Sequence, residues 1–77
     1  MSFILAFDFP KRLSTERRKL NRMLHRIGAK KLQDSFWKHE RLEELIEVAR
    51  FIVASGGRAS ILEEKFINSF IFSTSML

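Results

Sequence analysis

Hydrophobic positions recur along this chain with two different periods, and they mark out its elements. Phe3, Ile4, Leu5, Ala6 and Phe7 form an unbroken apolar run that closes on Asp8, Phe9 and Pro10. Such a run predicts a strand buried on both faces at the centre of a sheet. A carboxylate at the end of a buried strand costs free energy unless it is paired, hydrogen-bonded or metal-bound, so Asp8 is expected to meet a partner. Leu20, Met23, Leu24 and Ile27 then repeat at helical spacing, with Leu13 one turn earlier and Gly28 as the stop. Ser14 and Thr15 are the expected caps, and Glu16 suits the N-terminal dipole. Ala29 to Lys38 is a second strand candidate. Neither of its faces is cleanly apolar, so a bend or bulge turning its end into a further short strand is expected. Leu42, Leu45, Ile46, Ala49, Ile52 and Val53 form one stripe of a helix over Arg41 to Ser55, ended by Gly56-Gly57. Phe51 points away from that stripe and is a candidate contact aromatic. Arg58 to Ile67 reads as a final strand, although Ser60 and Glu63 have the spacing of a capping box.

The order is strand, helix, strand bent into two, helix, strand. The economical solution is an α+β domain, the ferredoxin-like β-α-β-β-α-β sandwich: an antiparallel sheet with both helices on one face. A second subunit would cover the other face. One domain over residues 1–67 is expected, followed by a tail over 68–77. That tail is either a loose end or a strand that pairs with a second subunit.

Charge sharpens this picture. The net charge is +5, with +7 over Met1 to Lys38 and −2 over His39 to Leu77. A basic half on a small domain points to a polyanionic partner, nucleic acid before membrane. Lys11, Arg12, Arg17, Arg18, Arg22, Lys30 and Lys31 are the candidate phosphate contacts, which position a duplex without reading its sequence. Arg17 lies at the edge of the apolar stripe rather than opposite it. Arg18, Lys19, Arg22 and Arg26 fall on the polar face of the first helix. There is no cysteine, so no disulfide or thiolate zinc site, as expected of a cytoplasmic protein. No apolar run reaches membrane-spanning length, and neither a membrane partner nor a signal peptide is expected. His25 and His39 lack ligand spacing and are expected at the surface.

The residues around the acid resemble a known family, the CRISPR-associated Cas-two proteins. Phe7-Asp8, the basic helix from Arg17 to Ile27, Gly28, and then Lys31-Leu32-Gln33-Asp34-Ser35-Phe36-Trp37 follow its ordered pattern over residues 2–38. The pattern is also similar to the central domain of PaaX-type repressors, which share the fold; Asp8-Phe9-Pro10 and Leu32 to Trp37 fit that version as well. The first resemblance implies a homodimeric spacer-adaptation protein that bridges dimers of an integrase partner along duplex DNA. Some members of that family are also assigned a metal-dependent endonuclease activity on RNA or DNA. Carried over by residue, Asp8 would be the catalytic acid and the magnesium ligand. Arg17, Lys19 and Lys31 would be the basic residues near it, with Trp37 as the aromatic position. Gln33 and Ser35 would bond a phosphate or neighbouring backbone. Lys19 and Lys31 stand where Arg is frequent, which removes a bidentate phosphate fork. Phe7 stands where Tyr is frequent. The alternative implied by the repressor likeness is a regulatory or protein-interaction module without nuclease activity. One acid per subunit makes a poor magnesium site, so two Asp8 residues near a dimer axis would share the ion. Otherwise Asp8 would pair with Arg17 or Lys31, or cap the loop.

Overall fold

The computed structural model describes residues 1–64. Six elements follow in order: β1 (Phe3–Asp8), α1 (Ser14–Arg26), β2 (Lys30–Gln33), β3 (Phe36–His39), α2 (Leu42–Ala54) and β4 (Arg58–Glu63). The four strands form one antiparallel sheet in the order β2-β3-β1-β4. This is the ferredoxin-like α+β arrangement expected from the sequence, with β1 at the centre. The expected tail over 68–77, and the end of the expected domain at residue 67, lie outside the described residues.

The segment expected to bend reverses completely. Asp34 and Ser35 turn the chain so that β2 and β3 pair, Lys30 opposite Lys38 and Lys31 opposite Trp37, with a bulge between Lys31 and Gln33. Short polar residues such as Asp and Ser favour such turns through local backbone bonds. The turn is tied down twice: Trp37 Nε1 donates to Asp34 O at 3.2 Å, and Phe7 N donates to Ser35 O at 3.1 Å.

The core lies between the sheet and the helices. Leu5 and Trp37 from the strands meet Leu20 and Leu24 of α1 and Leu45, Val48 and Ile52 of α2, with Phe9 at the end of β1. Each such large side chain contributes about 1.5–3 kcal/mol by leaving water. The α1 stripe is as expected. The α2 stripe is rotated from the expected one: Val48 is buried, whereas Val53 is 60% exposed and Ile46 and Leu42 are also exposed. Phe51 is not a free contact aromatic. It is half-buried and stacks on Phe9 with centroids 6.4 Å apart, because α2 packs against α1 as well as the sheet.

Both helices end in Schellman turns. Ala29 N donates to Leu24 O and Gly28 N to His25 O; Gly57 N donates to Ile52 O and Gly56 N to Val53 O. Gly28 and Gly56 hold φ of +80° and +105°, which L side chains rarely adopt. The N-terminus of α1 differs from expectation: Leu13 is its cap residue and no side chain caps it. Leu13 N bonds Pro10 O at 3.2 Å and its side chain packs on the core, so the loop positions the first turn without a Ser14 or Thr15 cap. Ser60 and Glu63 lie in β4 and form no capping box.

Candidate nucleic-acid interface

Strand β1 delivers Asp8 to the rim of the sheet. Phe3, Leu5 and Phe7 face the helices, so alternation places Ile4, Ala6 and Asp8 on the open face. Asp8 is exposed, contrary to the expectation of a charge on a doubly buried strand. Only Leu5 of β1 is fully buried, since the open face has no second layer among the described residues. The carboxylate therefore needs no counter-ion to exist there. Among the described residues it makes no ion pair. The partners expected for it are engaged elsewhere: Arg17 Nη2 donates to Phe9 O at 3.0 Å, and Lys31 pairs with Asp34 at 3.0 Å.

The pairing of β1 with β3 brings the Asp34-Ser35 turn alongside the end of β1. A cavity of about 310 Å³ opens there, lined by Phe7, Asp8, Phe9, Lys11, Arg17, Asp34 and Ser35. Asp8, Lys11, Arg17 and Ser35 were each candidates from the sequence, and the fold gathers them. Asp34 joins them as a second carboxylate; its place in a turn was legible only as an Asp-Ser pair. On the other side of the same rim, Asp8 also borders a shallow hollow of the open face with Ala6, Phe36, Arg58 and Ser60. Asp8 and Arg58 are opposite one another in the β1–β4 register.

A second cavity, about 330 Å³, adjoins the first through shared walls at Phe7, Arg17 and Asp34, and adds Arg18, Leu20, Asn21, Leu24, Lys31 and Trp37. Trp37 is 2% exposed, so it forms a wall rather than a stacking platform.

The remaining cations do not join this surface. Lys19 lies over the Phe51 ring, 5.6 Å from its centroid, on the side where the helices meet. Lys30 shares the open face with Lys38, its register partner. Arg12 and Arg22 are exposed and form no ion pair among the described residues, and Gln33 is exposed on the edge strand β2. His25 is exposed, with its ring edge on Trp37. His39 is not a surface residue: it lies under α2 with Nε2 2.6 Å from Glu44 Oε1, joining the end of β3 to the first turn of α2.

Gly57 supports the site structurally. A Cβ there would lie 2.6 Å from Asp8 O, 2.9 Å from Ile52 Cγ2 and 3.0 Å from Phe9 Cδ1. Only glycine lets the end of α2 approach the end of β1, and so hold the rim that carries Asp8.

Among the described residues, no group of three or more His, Asp or Glu is placed to hold a metal ion. Magnesium, however, is commonly held through one or two carboxylates with water and phosphate completing its shell. Asp8, accessible and without an ion-pair partner among the described residues, supplies one such carboxylate per protomer, so a site of this kind would need Asp8 from two protomers. No helix among the described residues is long and apolar enough to cross a membrane. No protein-family model matches the chain, and no curated protein matches its sequence.

Proposed function

We propose that this protein is a spacer-adaptation protein of the Cas-two kind, a homodimer that binds duplex nucleic acid through its phosphates and scaffolds an integrase partner. The observation that carries the proposal is the convergence of two separated halves of the ordered pattern. Phe7-Asp8 and the Asp34-Ser35 turn meet at one cavity, with Lys11 and Arg17 beside it. The ferredoxin-like fold supports the same reading, as does the sheet face that no described residue covers, where Phe36 and Leu62 are 43% and 57% exposed. A second copy on that face would bring two Asp8 residues to a shared interface, since Asp8 stands on its rim. DNA is preferred over RNA as the duplex on the resemblance alone.

Phosphate contacts from Lys11, Arg17, Arg18 and Lys31 would release counterions from the duplex. Affinity for duplex DNA is then expected to fall by about 100-fold between roughly 50 and 200 mM salt, with no preference for base sequence. Electrophoretic mobility shift or anisotropy measurements across salt provide the check. Affinity that is flat with salt, or a dimer that ignores DNA, would overturn the proposal and favour the regulatory module implied by the repressor likeness.

Magnesium-dependent endonuclease activity is the second part of the proposal, and it rests on Asp8. When bound, the ion would lower the pKa of a water and neutralise charge on the scissile phosphodiester. Asp8 would hold it, while Lys11 and Arg17 would orient the phosphate. Asp8→Asn should abolish cleavage and leave both the dimer and duplex binding intact. Cleavage that persists in this variant would remove Asp8 from the chemistry.

A further inference from the structure

The cavity between α1 and the edge strand β2 has features that backbone binding to a duplex does not use. Helix α1 lies over the middle of the sheet through Leu20 and Leu24, and all four residues of β2 remain exposed beyond it. This overhang leaves a concavity with one apolar wall and one cationic rim. The wall is Phe7, Leu20, Leu24 and Trp37; the rim is Arg17 and Arg18 from α1 and Lys31 from β2. Lys31 stands on the same face of the sheet as Trp37 because the two are register partners. Arg17 is already oriented by its bond to Phe9 O, and its other N–H groups have no acceptor among the described residues. Arg18 likewise forms no ion pair there, and the Asn21 side-chain amide has no hydrogen-bond partner among the described residues.

We infer that this cavity binds a single nucleotide, with the phosphate on Arg17, Arg18 and Lys31 and the base against Phe7 and the apolar wall, within reach of the Asn21 amide. The volume of about 330 Å³ sits at the small end of ligand clefts, enough for one nucleotide and not for a run of them. Leu20, Leu24 and Trp37 are already buried, so Phe7 supplies the accessible apolar face; a bare phosphate would leave it wet, and an uncharged base would leave three cations unused. The ligand is either a free nucleoside monophosphate or the phosphorylated end of a strand; the chemistry is the same. This inference goes beyond duplex binding and stands without it, because a mononucleotide reports on the cavity alone.

Trp37 is the chain's one tryptophan and lines the cavity, so its fluorescence is a direct reporter. Titration of the full chain with deoxyadenosine monophosphate should give a saturable change in Trp37 emission. Inorganic phosphate and deoxyadenosine should each bind about 10-fold more weakly, each lacking one half of the contacts. Lys31→Gln and Arg18→Gln, both at exposed positions that the fold tolerates, should each weaken binding by roughly 5- to 10-fold. Asp34→Asn should tighten it, since among the described residues Asp34 is the one carboxylate of the lining and competes for Lys31. A purely structural role would not produce that gain. Arg58→Gln, on the opposite sheet face, should change nothing. A flat titration, affinity unmoved by Lys31→Gln and Arg18→Gln, or phosphate binding as tightly as the nucleotide would each overturn the assignment. A single-stranded oligonucleotide with a 5′-phosphate that outcompetes its 5′-hydroxyl counterpart would assign the site to strand ends. Equal competition by the two, with mononucleotide binding retained, would assign it to the free nucleotide.

Discussion

The two faces of the sheet are made by the same four strands, yet they are chemically unlike. On the covered face Leu5 and Trp37 are buried beneath Leu20, Leu24, Leu45, Val48 and Ile52, and Ala59 and Ile61 pack at the margin. On the open face Ile4, Ala6, Phe36 and Leu62 alternate with Asp8, Lys38, Arg58 and Ser60, and the side chains of Phe36 and Leu62 stand in water. The first face is closely packed, and among the described residues its polar margin is His39, which is paired with Glu44. The second mixes apolar area with both signs of charge, a composition that resembles the polar and apolar mix of non-obligate interfaces. The difference separates two parts of the molecule: the covered face holds the fold, and the open face and its rim are where the proposed dimer and phosphate contacts would form.

Substitutions that test this division should differ in size and in kind. Leu45→Ala removes a fully buried side chain from the covered side and should cost about 3 kcal/mol, read from the midpoint of chemical denaturation. A loss below about 1 kcal/mol would show that the covered face is not the seat of stability. Gly57→Ala should cost about 2 kcal/mol, because its new methyl would meet Asp8 O and Ile52 Cγ2 at distances no packed structure holds. It should also disturb the rim, visible as changed NMR shifts at Asp8 and Phe9. Phe36→Ser combined with Leu62→Ser sharpens the comparison from the other side. Sedimentation should show self-association weakened at least about 10-fold, near 1.4 kcal/mol, with the circular dichroism spectrum unchanged. Unaltered association would detach the open face from dimer formation. The smallest effect belongs to Lys38→Ala, which breaks the 3.1 Å pair with Glu64. That pair is partly exposed, so the loss should be about 0.5 kcal/mol or less and should fade with salt.

Much of this molecule is legible in the one-dimensional pattern, and the particular residues show why. The stripe of Leu20, Met23, Leu24 and Ile27, closed by Gly28, describes α1 almost residue for residue, since helical spacing and a left-handed stop are local properties. The central apolar run of β1 is equally local. For β2 and β3 the pattern shows a bend into two strands but not their pairing: Lys31 and Trp37 share a face only after the chain reverses at Asp34 and Ser35. On α2 the periodicity is right and the buried arc is wrong. Val48 and Phe51 face neighbours that a single helix does not know about, and Val53 is left out.

Asp8 shows the same boundary most clearly. Residue type and position suffice to mark it as the unusual acid of the first strand and to name Arg17, Lys19 and Lys31 as its candidate companions, of which packing brings only Arg17 to the same cavity. Whether it is buried or exposed depends on which sheet face lacks a helix, and that is a matter of how six elements stack. Local order along a chain is set by short-range sterics and hydrogen bonding, so it can be read in sequence. Exposure, the grouping of Asp8 with a turn 26 residues onward, and the close approach at Gly57 are set by packing between distant segments. Those emerge only when the sheet and its helices close on one another.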